Sequence, residues 1–129
     1  MVSIDTNIIV RFLTHDDQVQ YEKSRALFES HDIFIPDTVI LETEWVLRYA
    51  YDFDAKSICG GLKKLFGLPN VQLSSPPMIG QALDWHAAGL DFADAFHLAQ
   101  SQELESLYTF DKKFIKGSAG YGNCKVLAP

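Results

Sequence analysis

Four acidic residues in this 129-residue sequence stand where a carboxylate can do chemistry. Asp5 follows the apolar run Val2 to Ile4, and Glu42 lies inside the apolar segment Val39 to Leu47. Asp94 closes the tetrapeptide Asp91-Phe92-Ala93-Asp94, and Asp111 follows Leu107 to Phe110. If gathered within about 5 Å, each pair of ionised carboxylates would repel by roughly 3 kcal/mol at an effective dielectric of 20. A divalent cation is the simplest remedy. An oxygen-only donor set without His or Cys selects Mg²⁺ or Mn²⁺, and Mg²⁺ characteristically keeps waters that a substrate phosphate can displace. Such a site activates water and neutralises charge on a phosphodiester, with no side-chain nucleophile. Each acid also has a simpler role: Asp5 and Asp111 as helix caps, Asp94 as half of a helix-start pair with Asp91, and Glu42 as a solvent-facing helix residue.

The elements that must position these acids alternate along the chain. Val2 to Ile4 reads as a short buried strand, followed by a helical stretch from Ile8 to Leu13 and a second helix from Val19 to Ser30. Ile33 to Ile35 is a second strand ended by Pro36, and Asp37 is expected to cap a helix to Tyr49 or Ala50. That helix is apolar almost all round and so is expected to be buried. Asp54 opens a further helix to about Gly67, Val71 to Leu73 is a third strand, and Pro76-Pro77 start a helix capped by Gly89. Another helix begins at Asp91, Leu107 to Phe110 is strand four, a loop of small residues spans Gly117 to Gly122, and Lys125 to Leu127 is the last strand. The expected fold is α/β, a three-layer α/β/α arrangement around a central, mostly parallel sheet, in one domain over residues 1–129. In open sheets of this kind ligands bind beyond the carboxyl ends of the strands, where both Asp5 and Asp111 stand. First-turn acids of helices that follow strands converge on the same edge.

Composition sets the outer limits. Lys and Arg total 11 against 17 Asp and Glu, a formal charge of −6, with 47% hydrophobic residues. This excludes a disordered or low-complexity chain and a protein that grips nucleic acid through a broad basic face, but it admits a local basic rim. Cys59 and Cys124 form no metal-ligand spacing, and a reducing cytoplasm is the default. No apolar run approaches the ~20 residues of a membrane span.

The segments VSIDTN, LETEW, DFADAFHLA and YTFDKKF, in that order, resemble the four acidic motifs of PIN-domain ribonucleases, and in particular the VapC-type toxins of type II toxin–antitoxin pairs. The resemblance spans Val2 to Phe114. It implies a PIN-like fold in which Asp5, Glu42, Asp94 and Asp111 hold one or two Mg²⁺ or Mn²⁺ ions. Asp5 and Asp94 would be the principal ligands, with Glu42 orienting metal or water and Asp111 completing the site. Thr6, Asn7 and Thr109 match polar positions that orient carboxylates or water through hydrogen bonds. The implied activity is endoribonucleolytic hydrolysis leaving 5′-phosphate and 3′-hydroxyl ends. A cognate antitoxin and a homodimer are the implied protein partners.

An acidic centre must still attract a polyanion. Arg11, Lys112, Lys113 and Lys116 flank the expected edge and are the candidates for RNA phosphate contacts, whereas Lys63 and Lys64 read as a solvated surface. His97, three residues after Asp94, reads as a neighbour of that acid. Trp45, Tyr49, Tyr51, Phe53, Phe66 and Trp85 read mostly as core, and the large apolar groups between Asp37 and Tyr51 also suit a subunit interface. Two other functions fit an acidic α/β domain. A receiver-like Mg²⁺-binding signalling domain needs an aspartate after strand three, where this chain has Ser74-Ser75. A metal-free binding module is what remains if the acids do not act together.

Overall fold

The computed structural model describes residues 1–129. The chain forms two compact units, residues 1–76 and 77–129. All strands that pair do so in parallel, as the alternation of elements requires.

The first unit carries β1 (Val2–Ser3), α1 (Thr6–Thr14), α2 (Gln18–Ser30), β2 (Ile33–Phe34), α3 (Asp37–Tyr49), α4 (Ala55–Phe66) and β3 (Val71–Gln72). The strands form one ladder in the order β1-β2-β3, with Val2 opposite Ile33 and Ile33 opposite Val71. Regular pairing is a residue shorter than the apolar runs, yet Ile4 and Ile35 are buried at the strand ends and the Ile35 amide still donates to the Gln72 carbonyl. Parallel neighbours need crossovers, which here are the helix pairs α1–α2 and α3–α4. Helix α1 starts two residues earlier than expected because Asp5 caps it, accepting from the Ile8 amide. His15 ends it in the left-handed region at φ 56°, and Asp17 then caps α2 by accepting from the Gln20 amide. Phe12 of α1 stacks on Phe28 of α2 with ring centroids 4.4 Å apart, which fixes that helix pair.

Two expectations for α3 are corrected. Its N-cap is Pro36, and Asp37 is instead its first residue, because the fixed φ of the proline already sets the entry to the helix. Nor is the helix buried all round. Ile40, Thr43, Glu44 and Leu47 face inward at helical spacing, while Trp45 and Tyr49 are 56% and 62% exposed. Inward-facing Glu44 is accommodated by a two-pronged ion pair with Arg48 at 2.8 and 3.1 Å.

The second unit carries nearly all of α5 (Pro76–Ala87), then α6 (Phe92–Gln100), β4 (Ser106–Tyr108), α7 (Lys112–Gly117) and β5 (Lys125–Leu127). Gly89, at φ 123°, turns the chain out of α5, and Asp91 caps α6 by accepting from the Asp94 amide. Phe92, Ala95, Phe96, Leu98 and Ala99 form the buried stripe of α6. Strand β4 pairs with β5 through Ser106–Lys125, Leu107–Val126 and Tyr108–Leu127. It lies earlier than the expected Leu107 to Phe110, because after Tyr108 the chain bends toward the cap of α7. In the loop before β5, Gly122 has φ 68° and packs on Gln102 so closely that a Cβ would fall 2.1 Å from its Oε1. That same oxygen accepts from the Asn123 amide at 2.6 Å.

Candidate active site

Asp5 is exposed at the strand-to-helix junction of β1 and α1, and one carboxylate oxygen accepts from the Ile8 amide at 3.4 Å. Thr6 beside it is buried, and its hydroxyl donates to the Glu42 carboxylate. A bond between residues 36 positions apart thus ties the first turn of α1 to the second turn of α3. Glu42 itself is exposed. Asn7 is also exposed, and with Asp5, Ile8, Arg11, Gln20, Lys23 and Ser24 it lines a cavity of about 300 Å³ between α1 and α2.

Arg11 is not a free cation. Its guanidinium meets both Asp16 oxygens at 2.8 Å, Gln20 at 2.7 Å and the Tyr51 hydroxyl at 3.0 Å. Tyr51 in turn donates to Asp16 at 2.5 Å, and so does the Thr14 hydroxyl at 2.9 Å. The Tyr51 bond is the main reason that the Asp16 carboxyl falls to about 2, with Thr14 and Arg11 adding to it. Arg11 therefore clamps the α1–α2 elbow to the segment after α3. Three neighbours, Asp16, Gln20 and Tyr51, thus engage its Nε and one terminal nitrogen.

In the second unit Asp94 lies half-buried in the first turn of α6 and Asp111 caps α7, one oxygen accepting from the Lys113 and Phe114 amides at 2.9 and 3.3 Å. The Asp94 carboxyl is held above its ordinary range, first by burial, then by the charges of Asp91 and Asp111, with exposed His97 pulling the other way. Thr109, expected to orient a carboxylate or water, uses its hydroxyl to accept from the Asp111 amide at 3.0 Å, so it sets the backbone that carries the acid. Lys112, Lys113 and Lys116 are exposed and make no ion pair.

The four acids therefore lie as two pairs of segments, Asp5 with Glu42 through Thr6, and Asp94 within reach of the charge of Asp111. No group of three or more His, Cys, Asp or Glu side chains forms a ready-made metal site. Donor chemistry nonetheless fits a hard cation. An ion of the Mg²⁺ type is commonly bound by only one or two protein carboxylates, with water and substrate phosphate filling its shell. Lys23 and the Tyr51–Asp16 bond were not apparent from the sequence, since a surface lysine and a tyrosine 35 residues from its partner leave no local pattern.

The parallel α/β frame with acids at strand ends and helix starts has a counterpart among known families. The family model described as PIN domain matches residues 2–119, and the chain belongs to that family, whose members are nucleases. Among solved structures the chain is similar to VapC20 of Mycobacterium tuberculosis, a toxin that cleaves the sarcin–ricin loop. Identity is 17%, 97% of this chain and 99% of that one are covered, and the TM-score is 0.44. No curated protein matches the chain.

Proposed function

We propose that this chain is a Mg²⁺- or Mn²⁺-dependent endoribonuclease that hydrolyses RNA phosphodiester bonds and acts as the toxin of a toxin–antitoxin pair in the cytoplasm. The observation that carries the reading is the PIN-domain match over residues 2–119, which takes in every acid-bearing segment and supports treating 1–129 as a single nuclease domain. Asp5 and Asp94 are the principal metal-holding acids, with Glu42 and Asp111 completing the set. When bound, the cation lowers the pKa of a water and offsets charge on the scissile phosphate.

The chain's own residues do the rest. Thr6 fixes Glu42 by donating to it, and Asp111 is held in place by two first-turn amides. Asn7 stands exposed next to these groups in sequence, suited to orient water or a phosphate oxygen. Lys112, Lys113 and Lys116, which lack acidic partners, are the phosphate contacts. The exposed Trp45 and Tyr49, with ring centroids 5.2 Å apart on α3, support a homodimer face, and a cognate antitoxin is the second protein partner. No helix is long and apolar enough to cross a membrane.

The test is direct. Purified protein incubated with unstructured and structured RNA should cut it with Mg²⁺ or Mn²⁺ and stop in excess chelator. Asp5→Asn and Asp94→Asn should each lower the rate by at least two orders of magnitude. Undiminished cleavage in chelator or in both variants overturns the proposal.

A further inference from the structure

We infer that Phe110, with Tyr108, is a stacking platform for unpaired RNA bases beside Asp111. The inference rests on the ribonuclease reading and specifies how that site grips its substrate. Phe110 is 87% exposed and Tyr108 is 64% exposed, and neither ring contacts another aromatic ring. Single exposed apolar residues are ordinary on protein surfaces. The setting of this pair is what distinguishes it.

The backbone around Phe110 is held on both sides. The Thr109 amide donates to the Leu127 carbonyl at 3.0 Å, which prolongs the β4–β5 pairing, while the Thr109 hydroxyl accepts from the Asp111 amide at 3.0 Å. Phe110 is the middle residue of that tight turn, so its ring is presented by a fixed backbone and leans on nothing aromatic. The next residue is a candidate metal-holding acid, followed at once by Lys112 and Lys113 and then Lys116, all exposed and without ion pairs. Within residues 108–116 the chain thus combines aromatic faces, unpartnered cations and an acid of the proposed centre.

Single-stranded nucleic acid is recognised by that combination: bases offer π-faces to aromatic rings and phosphates meet ammonium groups. In a duplex the base faces are already stacked on one another, so the occupant is single-stranded. A protein partner is the poorer fit, because lysine is depleted in the cores of protein interfaces.

The test compares Phe110→Ala, Phe110→Trp and Tyr108→Ala with the parent sequence. Affinity for a labelled, unstructured RNA dodecamer is measured in the Asp94→Asn background with Mg²⁺, where cutting is suppressed, and KM is measured in the otherwise unaltered enzyme. Phe110→Ala should weaken binding and raise KM about tenfold or more, and Tyr108→Ala should do so in part. Phe110→Trp should restore affinity, with indole fluorescence quenched on binding. A dodecamer with abasic positions should bind the parent more weakly and erase the difference between parent and Phe110→Ala. If Phe110→Ala binds and cuts the dodecamer as the parent does, stacking is wrong while the ribonuclease reading survives. If the parent neither binds nor cuts any RNA, both fall. If the variant keeps RNA affinity but light scattering shows a dimer reduced to monomer, the rings belong to a contact with a second copy and the inference is overturned.

Discussion

At Asp94, burial and the charges of Asp91 and Asp111 act in one direction, and His97 opposes them only in part. A carboxyl whose pKa is higher in the folded chain than in the unfolded one favours the fold while protonated. That contribution is complete below the unfolded value and is lost as pH rises through the folded value. Ionised Asp94 therefore works against stability at neutral pH. Asp94→Asn should raise Tm at pH 7, an effect that should vanish below about pH 3.5, near the ordinary aspartate value, while abolishing RNA cleavage. Thermal scans at both pH values, paired with activity assays, check both halves. Millimolar Mg²⁺ should raise the Tm of the parent more than that of the variant, because a ligand that binds only the folded chain stabilises it. A variant that melts lower at pH 7 would show that Asp94 holds structure rather than being kept for function.

The elements owe their order to local signals and their mutual fixation to distant ones. Asp5, Asp17, Asp54, Asp91 and Asp111 all cap helices through bonds to amides two or three residues on, and that spacing is visible in the sequence. The clamp on the α1–α2 elbow is different, since Tyr51 reaches Asp16 across 35 positions and Arg11 across 40. Asp16 is lowered to about 2 from its ordinary value of 3.8. Its contribution to stability is therefore present above the unfolded value and lost as pH falls from about 3.8 toward 2. Tyr51→Phe removes the largest cause of that shift, so it should lower Tm at pH 7 by a few degrees, a difference that shrinks as pH falls from about 3.8 toward 2. Circular-dichroism melts across that window measure it. Equal Tm values for parent and variant at pH 7 would mean that the bond is made only as strongly as water would make it.

For the molecule as a whole, the proposed RNA substrate would have to be bound against a net charge of −6. The cations available for this are those without acidic partners, which places Lys112 and Lys113 ahead of Arg11. For single-stranded nucleic acid the slope of log affinity against log salt is about −0.7 per phosphate neutralised, so Lys112→Gln with Lys113→Gln should flatten it by about 1.4. An unchanged slope removes both lysines from the interface. The exposed α3 face leads to a second whole-molecule expectation. Light scattering at micromolar concentration should give a dimer, and Trp45→Glu with Tyr49→Glu should give a monomer. A parent that is monomeric throughout that range would discount this face.

The alternation of strand and helix, the parallel pairing and the caps at Asp54 and Asp91 were legible in the sequence because each depends on residues close together along the chain or on a recurring motif. Exposure was not. Helix α3 has an apolar composition, yet tertiary packing buries only the stripe from Ile40 to Leu47 and leaves Trp45 and Tyr49 in water. The sequence also carried no sign that Asp16, Gln20 and Tyr51 surround Arg11, and Phe110, read as the end of a strand, lies instead in the turn at Thr109 with its ring outside. Sequence by itself determined which elements form and which side chains carry charge, since hydrogen bonds of helix starts and the period of apolar residues are short-range. Tertiary structure alone decided which charges are already neutralised and which rings are left uncovered, because both depend on partners brought together from distant parts of the chain.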